Sequence, residues 1–237
     1  MKIFLCLLLL LVSLGQELIS LKGGTMLPFI RSRDPKKPTR VIEVASYSLQ
    51  RTPVTNKQYL EFVRRYPQWR RSQVRSVYAE KRYLLHWKDD LHFDPALADS
   101  PVCYVSWFAA RAYCESQNLR LPTTNEWEFA AQVPQAETIL EWYSHPTPKK
   151  LPPVGSGWRS PQGVWDLHGL VWEWVEDFNS VLVTGSDSGL FCAGASQSGA
   201  DPKDYAAFMR FGFRSSLKAR YCLPNLGFRA AGKKGLL

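Results

Sequence analysis

The sequence predicts an α+β domain in which short helices and shorter strands are set in much irregular chain. Three observations predict this. Capping boxes followed by i, i+3, i+4 apolar spacing mark short helices. Strand-like runs are few and brief. Residues 133–170 are rich in Pro, Gly and Ser with isolated aromatics, so they read as long loops. A length of 237 residues fits one domain or two, and 45% apolar types suffice for a sizeable core. That composition excludes a wholly disordered chain. The one long apolar run is too short to cross a bilayer, which excludes a multi-pass membrane protein. No solenoid period or sustained heptad is present.

The elements follow in order. Met1-Lys2 carries a positive charge, 3–12 is unbroken apolar chain, and Ser13-Leu14-Gly15 offers small residues at the cleavage positions. This is the pattern of a secretory signal cut after Gly15, leaving a single domain over 16–237. The expected location is periplasmic or secreted, with no transmembrane anchor after cleavage. Cys6 sits inside the apolar run rather than after a small residue at its end, which argues against lipoprotein processing. The signal holds one Lys and no acid, so the remainder of a chain with net charge +9 stays basic.

Residues 31–40 are charged and proline-broken, hence a loop, and 41–49 reads as a strand. Thr55 and Gln58 form a capping box. Tyr59, Phe62 and Val63 share one helix face, and the helix must stop before Pro67. A second helix starts near Ser106, with Trp107, Ala110, Tyr113 and Cys114 on one face and Asn118 suited to a left-handed exit. A third begins at the Thr123/Glu126 capping box, with Trp127, Ala130 and Ala131 inward and Pro134 beyond its end. Segments 171–177 and 227–229 read as short strands. Cohesion is expected from buried aromatics and side-chain hydrogen bonds more than from long regular elements.

Chemistry is sparse. After signal removal four cysteines remain: Cys103, Cys114, Cys192 and Cys222. They permit two disulfides in three pairings, or buried free thiols, and spacing does not choose. The four histidines show no helical metal-ligand spacing beside a carboxylate. No Walker loop, dinucleotide-binding glycine run or G-x-S-x-G elbow occurs. Segment 64–82 carries seven basic residues against Glu80, with Tyr66, Trp69 and Tyr78 between them. It reads as a solvated basic face or as a binder of polyanions or acidic peptide. Nucleic acid is not an expected partner of an exported protein. Trp165, Trp172 and Trp174 cluster with Asp166, Glu173, Glu176 and Asp177, as a core strand with a charged outer face or as a cation site or peptide groove.

The stretches Pro101-Val102-Cys103-Tyr104-Val105-Ser106-Trp107, Ala112-Tyr113-Cys114 and Arg120-Leu121-Pro122-Thr123, running on to Glu126-Trp127-Glu128, closely resemble the sulfatase-modifying-factor family. That family includes the formylglycine-generating enzymes. Pro53-Val54-Thr55-Asn56, Gly163 to Trp174 and Asn225-Leu226-Gly227-Phe228-Arg229 are similar to further family motifs, in order. The resemblance implies a formylglycine-generating-enzyme fold related to C-type lectins, with little regular structure. It implies mutual pairing of Arg120, Glu126 and Glu128, and a core role for Arg229. It also implies that Trp174 lines a substrate groove and that Arg210 and Arg214 meet client carboxylates or carbonyls.

The chain departs from the enzymes at two places. They hold copper(I) between two thiolates a few positions apart, whereas here Cys192 and Cys222 are 30 positions apart. Copper is therefore not expected. Their calcium site uses an Asn where this chain has Leu170, although Glu173 remains and could still hold calcium. The expected function is a non-copper accessory or maturation factor that binds a client protein or extended peptide in the cell envelope. The alternatives are a copper-dependent formylglycine-generating oxidase acting on a sulfatase-type Cys, and a structural envelope component docking through 64–82.

Overall fold

The computed structural model describes residues 17–27, 41–132, 140–142, 144–179 and 202–232, with backbone alone for 202–208. Six strands pair into three two-stranded sheets. β1 (Leu18–Leu21) runs antiparallel to β4 (Tyr47–Gln50), and β2 (Gly24–Met26) antiparallel to β3 (Ile42–Val44). β5 (Trp172–Trp174) lies parallel to β6 (Leu226–Phe228), with Glu173 opposite Gly227. The helices are α1 (Asn56–Arg65), α2 (Trp107–Ser116), α3 (Thr124–Ala130) and α4 (Pro202–Ser216). The α+β class with low regular content is as the sequence predicts.

The three expected helices start where their caps place them. The Thr55 hydroxyl accepts from Gln58 N–H while the Gln58 side chain accepts from Thr55 N–H. Thr123 and Glu126 close the same box on α3. Ser106 caps α2 by accepting from Ala109 N–H. Asn118 takes the left-handed exit at φ 57°. Four elements differ from expectation. The strand over 41–49 is broken at Ala45-Ser46 into β3 and β4. β1 and β2 are too short for a periodic signal and exist because β4 and β3 give them partners. α4 escaped notice because Gly212 and the Gly/Ser-rich chain before it argue against a helix. The loop expected over 31–40 and Pro134 lie outside the described residues.

One aromatic core joins these pieces. Tyr59 is fully buried, with Phe62, Tyr113, Phe228 and Trp87 at ring-centroid distances of 5.3, 5.7, 6.1 and 6.3 Å. Tyr83 donates to Trp69 O at 2.9 Å, so the 2.7 Å contact between the two phenols is Tyr59 donating to Tyr83. Gly227 is required where β6 crosses the 102 backbone: a Cβ there would lie 2.8 Å from Val102 O. Asn56 anchors the start of α1 by donating to Ser100 O and accepting from Trp87 Nε1 at 2.8 Å and from His86 Nε2.

The caps yield a stability prediction. Thr123→Ala removes the acceptor for Glu126 N–H and loosens the carboxylate that also meets Arg120. It should lower unfolding free energy by about 1–2 kcal/mol in urea titration. A loss below about 0.3 kcal/mol would mean the box contributes nothing.

Candidate functional site

β5 and β6 bring Glu173 and Arg229 together at the centre of the molecule. Both side chains are wholly buried. Arg229 Nη2 donates to Glu173 Oε1 at 2.7 Å and Arg229 Nε to Oε2 at 2.7 Å, while Trp127 Nε1 donates to Oε2 at 2.8 Å. The other Arg229 donors reach Trp165 O, Gln50 O and Arg51 O. All five guanidinium N–H groups are thus satisfied, as burial of a charge demands.

Two further clamps lie on α3. Arg120 holds Glu126 through contacts of 2.6 and 2.7 Å. Glu128 does not join that pair, contrary to the mutual pairing expected from the resemblance. Its position turns it towards α4, where Arg210 donates at 2.7 Å to Oε2 and at 3.0 Å to Oε1, and Arg214 donates at 2.6 Å to Oε1. The Arg214 guanidinium also lies 4.7 Å from the centre of the Trp127 ring. Burial alone would raise the Glu128 pKa, but the two guanidiniums outweigh it and hold the carboxyl at about 2.

The residues expected to meet a client are each engaged within the fold. Trp174 is 0% exposed, donates to Val105 O at 2.9 Å and packs edge-on against Phe178. Arg210 and Arg214 are buried against Glu128 rather than turned to a client carboxylate. Trp172, its neighbour, stacks on Phe213 of α4 at 4.4 Å. Every one of these side chains ties one element to another.

Glu173 does not fit calcium. Calcium needs six to eight oxygens. Both oxygens here face a guanidinium, Leu170 offers no side-chain donor, and no water-accessible surface remains. Among the described residues no group of three His, Cys, Asp or Glu side chains could hold a metal. Cys103, Cys114 and Cys222 are free and buried, so no disulfide joins the described cysteines, and Cys192 lies outside the described residues. Burial pushes the Cys222 thiol up to about 12 and raises Cys103 and Cys114 as well. Such thiols resist the deprotonation that soft-metal binding requires.

The surface tells a different story. Segment 64–82 runs from the end of α1 through a 3-10 turn at Pro67–Trp69 into further turns, and residues 70–79, here called the ridge, contribute to the walls of two clefts. One cleft, of about 610 Å³, is walled by Trp69, Arg70, Gln73, Arg75 and Tyr78. The other, of about 620 Å³, is walled by Arg71, Val74, Lys81, Arg82, Tyr83 and Arg220. The ridge is pinned from several sides. Arg71 donates to Trp87 O at 2.8 Å, Ser72 binds Asp90 through its N–H and hydroxyl, and Glu80 accepts from Cys222 N–H at 2.8 Å. Arg75, Lys81, Arg82 and Arg220 are exposed and make no salt bridge among the described residues. The basic run announced this face in the sequence. Arg220 carried no such signal, because it arrives from the far end of the chain.

Two outcomes follow from the buried groups. Glu128→Ala strands two guanidiniums and should cost about 3–5 kcal/mol of unfolding free energy. The wild-type carboxyl has a depressed folded pKa, so its contribution is complete above about pH 4.5 and is lost as pH falls towards about 2. The stability gap between wild type and the variant should therefore close over that interval, and a constant gap would contradict the clamp. Separately, calcium or a chelator should leave the melting temperature unchanged. A rise that saturates with calcium would overturn the assignment of Glu173 to Arg229.

Comparison with known proteins bears on this frame. The family described as sulfatase-modifying factor enzyme 1-like domain matches residues 12–234. The inactive C-alpha-formylglycine-generating enzyme 2 of Bos taurus is 28% identical over 60% of this chain and 64% of its own length. Hercynine oxygenase of Mycolicibacterium smegmatis is 29% identical over 61% of this chain and 40% of its own, and the formylglycine-generating enzyme of Mus musculus 29% over 56% and 44%. Serine/threonine-protein kinase pkn1 of Chlamydia caviae is 31% identical over 68% of this chain, which spans 28% of that protein. The chain thus spans less than two thirds of these relatives. The solved structure of PvdO from Pseudomonas aeruginosa superposes with a TM-score of 0.52 at 16% identity, covering 90% of this chain and 93% of that one. CarF superposes with a TM-score of 0.51 at 15% identity, covering 92% and 98%. With the family match spanning nearly its whole length, this chain belongs to the sulfatase-modifying factor enzyme 1-like domain family.

Proposed function

We propose that this chain is an exported accessory or maturation factor that binds a client polypeptide in the cell envelope without copper chemistry. One observation carries the reading. Trp174, Arg210 and Arg214, the residues whose motif positions suggest substrate contact, are consumed inside the fold by Val105 O and Glu128. Glu173 is consumed in the same way by Arg229. What remains is a rigid frame with basic clefts on its outside, which suits holding a partner better than transforming one. The leader-like segment 1–15 supports export to the periplasm or beyond. Two observations argue against the oxidase alternative: the cysteines at 192 and 222 are far apart in sequence, and the Cys222 thiol pKa is raised.

The test uses the full chain, tagged at its C-terminus and expressed in its own host. The envelope fraction should yield one polypeptide retained in near-stoichiometric amount through cross-linking and purification. Purified protein incubated with copper(I), dioxygen and a sulfatase-type Cys peptide should leave the peptide mass unchanged. Conversion of that thiol to an aldehyde would overturn the reading, and so would recovery of the protein alone from every fraction.

A further inference from the structure

We infer that the double cleft around the 70–79 ridge is the client-docking surface, and that its occupant is an extended, acidic peptide segment interspersed with apolar side chains. This deepens the client-binding reading and rests on it. The surface carries unused charge. Most buried acids of the protein have a guanidinium partner inside: Glu173 has Arg229, Glu126 has Arg120, and Glu128 has Arg210 and Arg214. The cations of the ridge have no such partner among the described residues. Arg75 and Arg82 lie over the rings of Tyr78 and Tyr104 at 5.7 and 5.6 Å, contacts that leave the guanidinium edges open to donate. The one acid in the run, Glu80, is committed to Cys222 N–H.

The second observation is apolar exposure on the first cleft, at Tyr78, and nearby in the chain, at Val77 and Leu85. Val77 is 57% exposed, Leu85 46% and Tyr78 37%, among the few large hydrophobic side chains that reach solvent. Positive charge by itself suits any polyanion, a nucleic acid or a lipid headgroup layer included. Here charge alternates with Val77, Tyr78 and Leu85, and the first cleft adds the amides of Gln68 and Gln73. An extended backbone can use those amides, carboxylates can take the guanidinium forks, and apolar side chains can cover the exposed Val, Leu and Tyr. The ridge is also pre-organised by its hydrogen bonds to Trp87 O and Asp90, so little ordering is needed on binding.

The experiment is fluorescence anisotropy on the purified mature protein with four probes. They are a labelled peptide alternating glutamate with leucine, its lysine–leucine counterpart, labelled heparin, and vesicles of phosphatidylcholine with phosphatidylglycerol. The glutamate–leucine peptide should bind saturably and weaken with salt. The triple variant Arg75→Glu/Arg82→Glu/Arg220→Glu should weaken it by about tenfold or more. A control with the same charge change, Lys22→Glu/Lys57→Glu/Lys149→Glu, should bind as wild type, and all three proteins should share one melting temperature. The proposal is overturned if the triple variant binds the peptide unchanged, if the control loses as much, if heparin or vesicles bind while the peptide does not, or if nothing binds. Failure of the surface and failure of the client reading are separable. A client that co-purifies equally with the triple variant refutes the surface only. A wild-type protein that brings down no client refutes the broader reading, whatever the anisotropy shows.

Discussion

The pair of Glu173 and Arg229 sets the terms for the rest of the molecule. Two full charges lie in a site with no solvent contact, which is tolerable only if every donor and acceptor is met. Meeting them fixes the positions of Gln50, Arg51, Trp127 and Trp165 relative to β5 and β6. With β5 and β6, those residues make five separate stretches of chain. With only two-stranded sheets among the described residues, no long ladder of backbone hydrogen bonds there holds such stretches together. Side-chain charge and ring packing take over that task, with the Tyr59 cluster on one side and the Trp127 cluster on the other.

Trp127 is the hinge between two of the clamps. Its N–H faces Glu173 and its ring supports Arg214, so α3 senses both the central pair and the α4 clamp. Removing α4 would expose Glu128 without its cations and leave Trp172 without Phe213. The same economy shapes the surface. The chain carries 30 Lys and Arg against 21 Asp and Glu, so a basic excess remains outside the clamps. The ridge between 70 and 79 concentrates that excess where the chain also leaves Val77 and Tyr78 uncovered.

Much of this was legible in the sequence. The two capping boxes and the Ser106 cap marked the starts of α1, α2 and α3, because a cap is a local interaction between neighbours three positions apart. Asn118 announced its left-handed turn for the same reason. The pairing of Arg120 with Glu126 was also near in sequence and was foreseen. The partner of Glu128 was not: Arg210 and Arg214 stand more than eighty positions away, on a helix that a glycine and a polar run disguised. The burial of Trp174, Arg210 and Arg214 was hidden for a related reason. Residue type survives in a motif, but burial and partnership are set by tertiary contacts that no spacing reveals. The basic run over 64–82 was plain to read, whereas its shaping into paired clefts depends on Asp90, Trp87 and Arg220.

The central claim is that Glu173 and Arg229 form a structural ion pair at the centre of the fold. A double-mutant cycle by urea denaturation tests it most directly, using Glu173→Gln, Arg229→Met and the double variant. Each single change should be severely destabilising, the double should be little worse than either, and the coupling should reach about 2–3 kcal/mol. Additive losses with coupling near zero would show that the two charges act independently, and the carboxylate would then be free for another role.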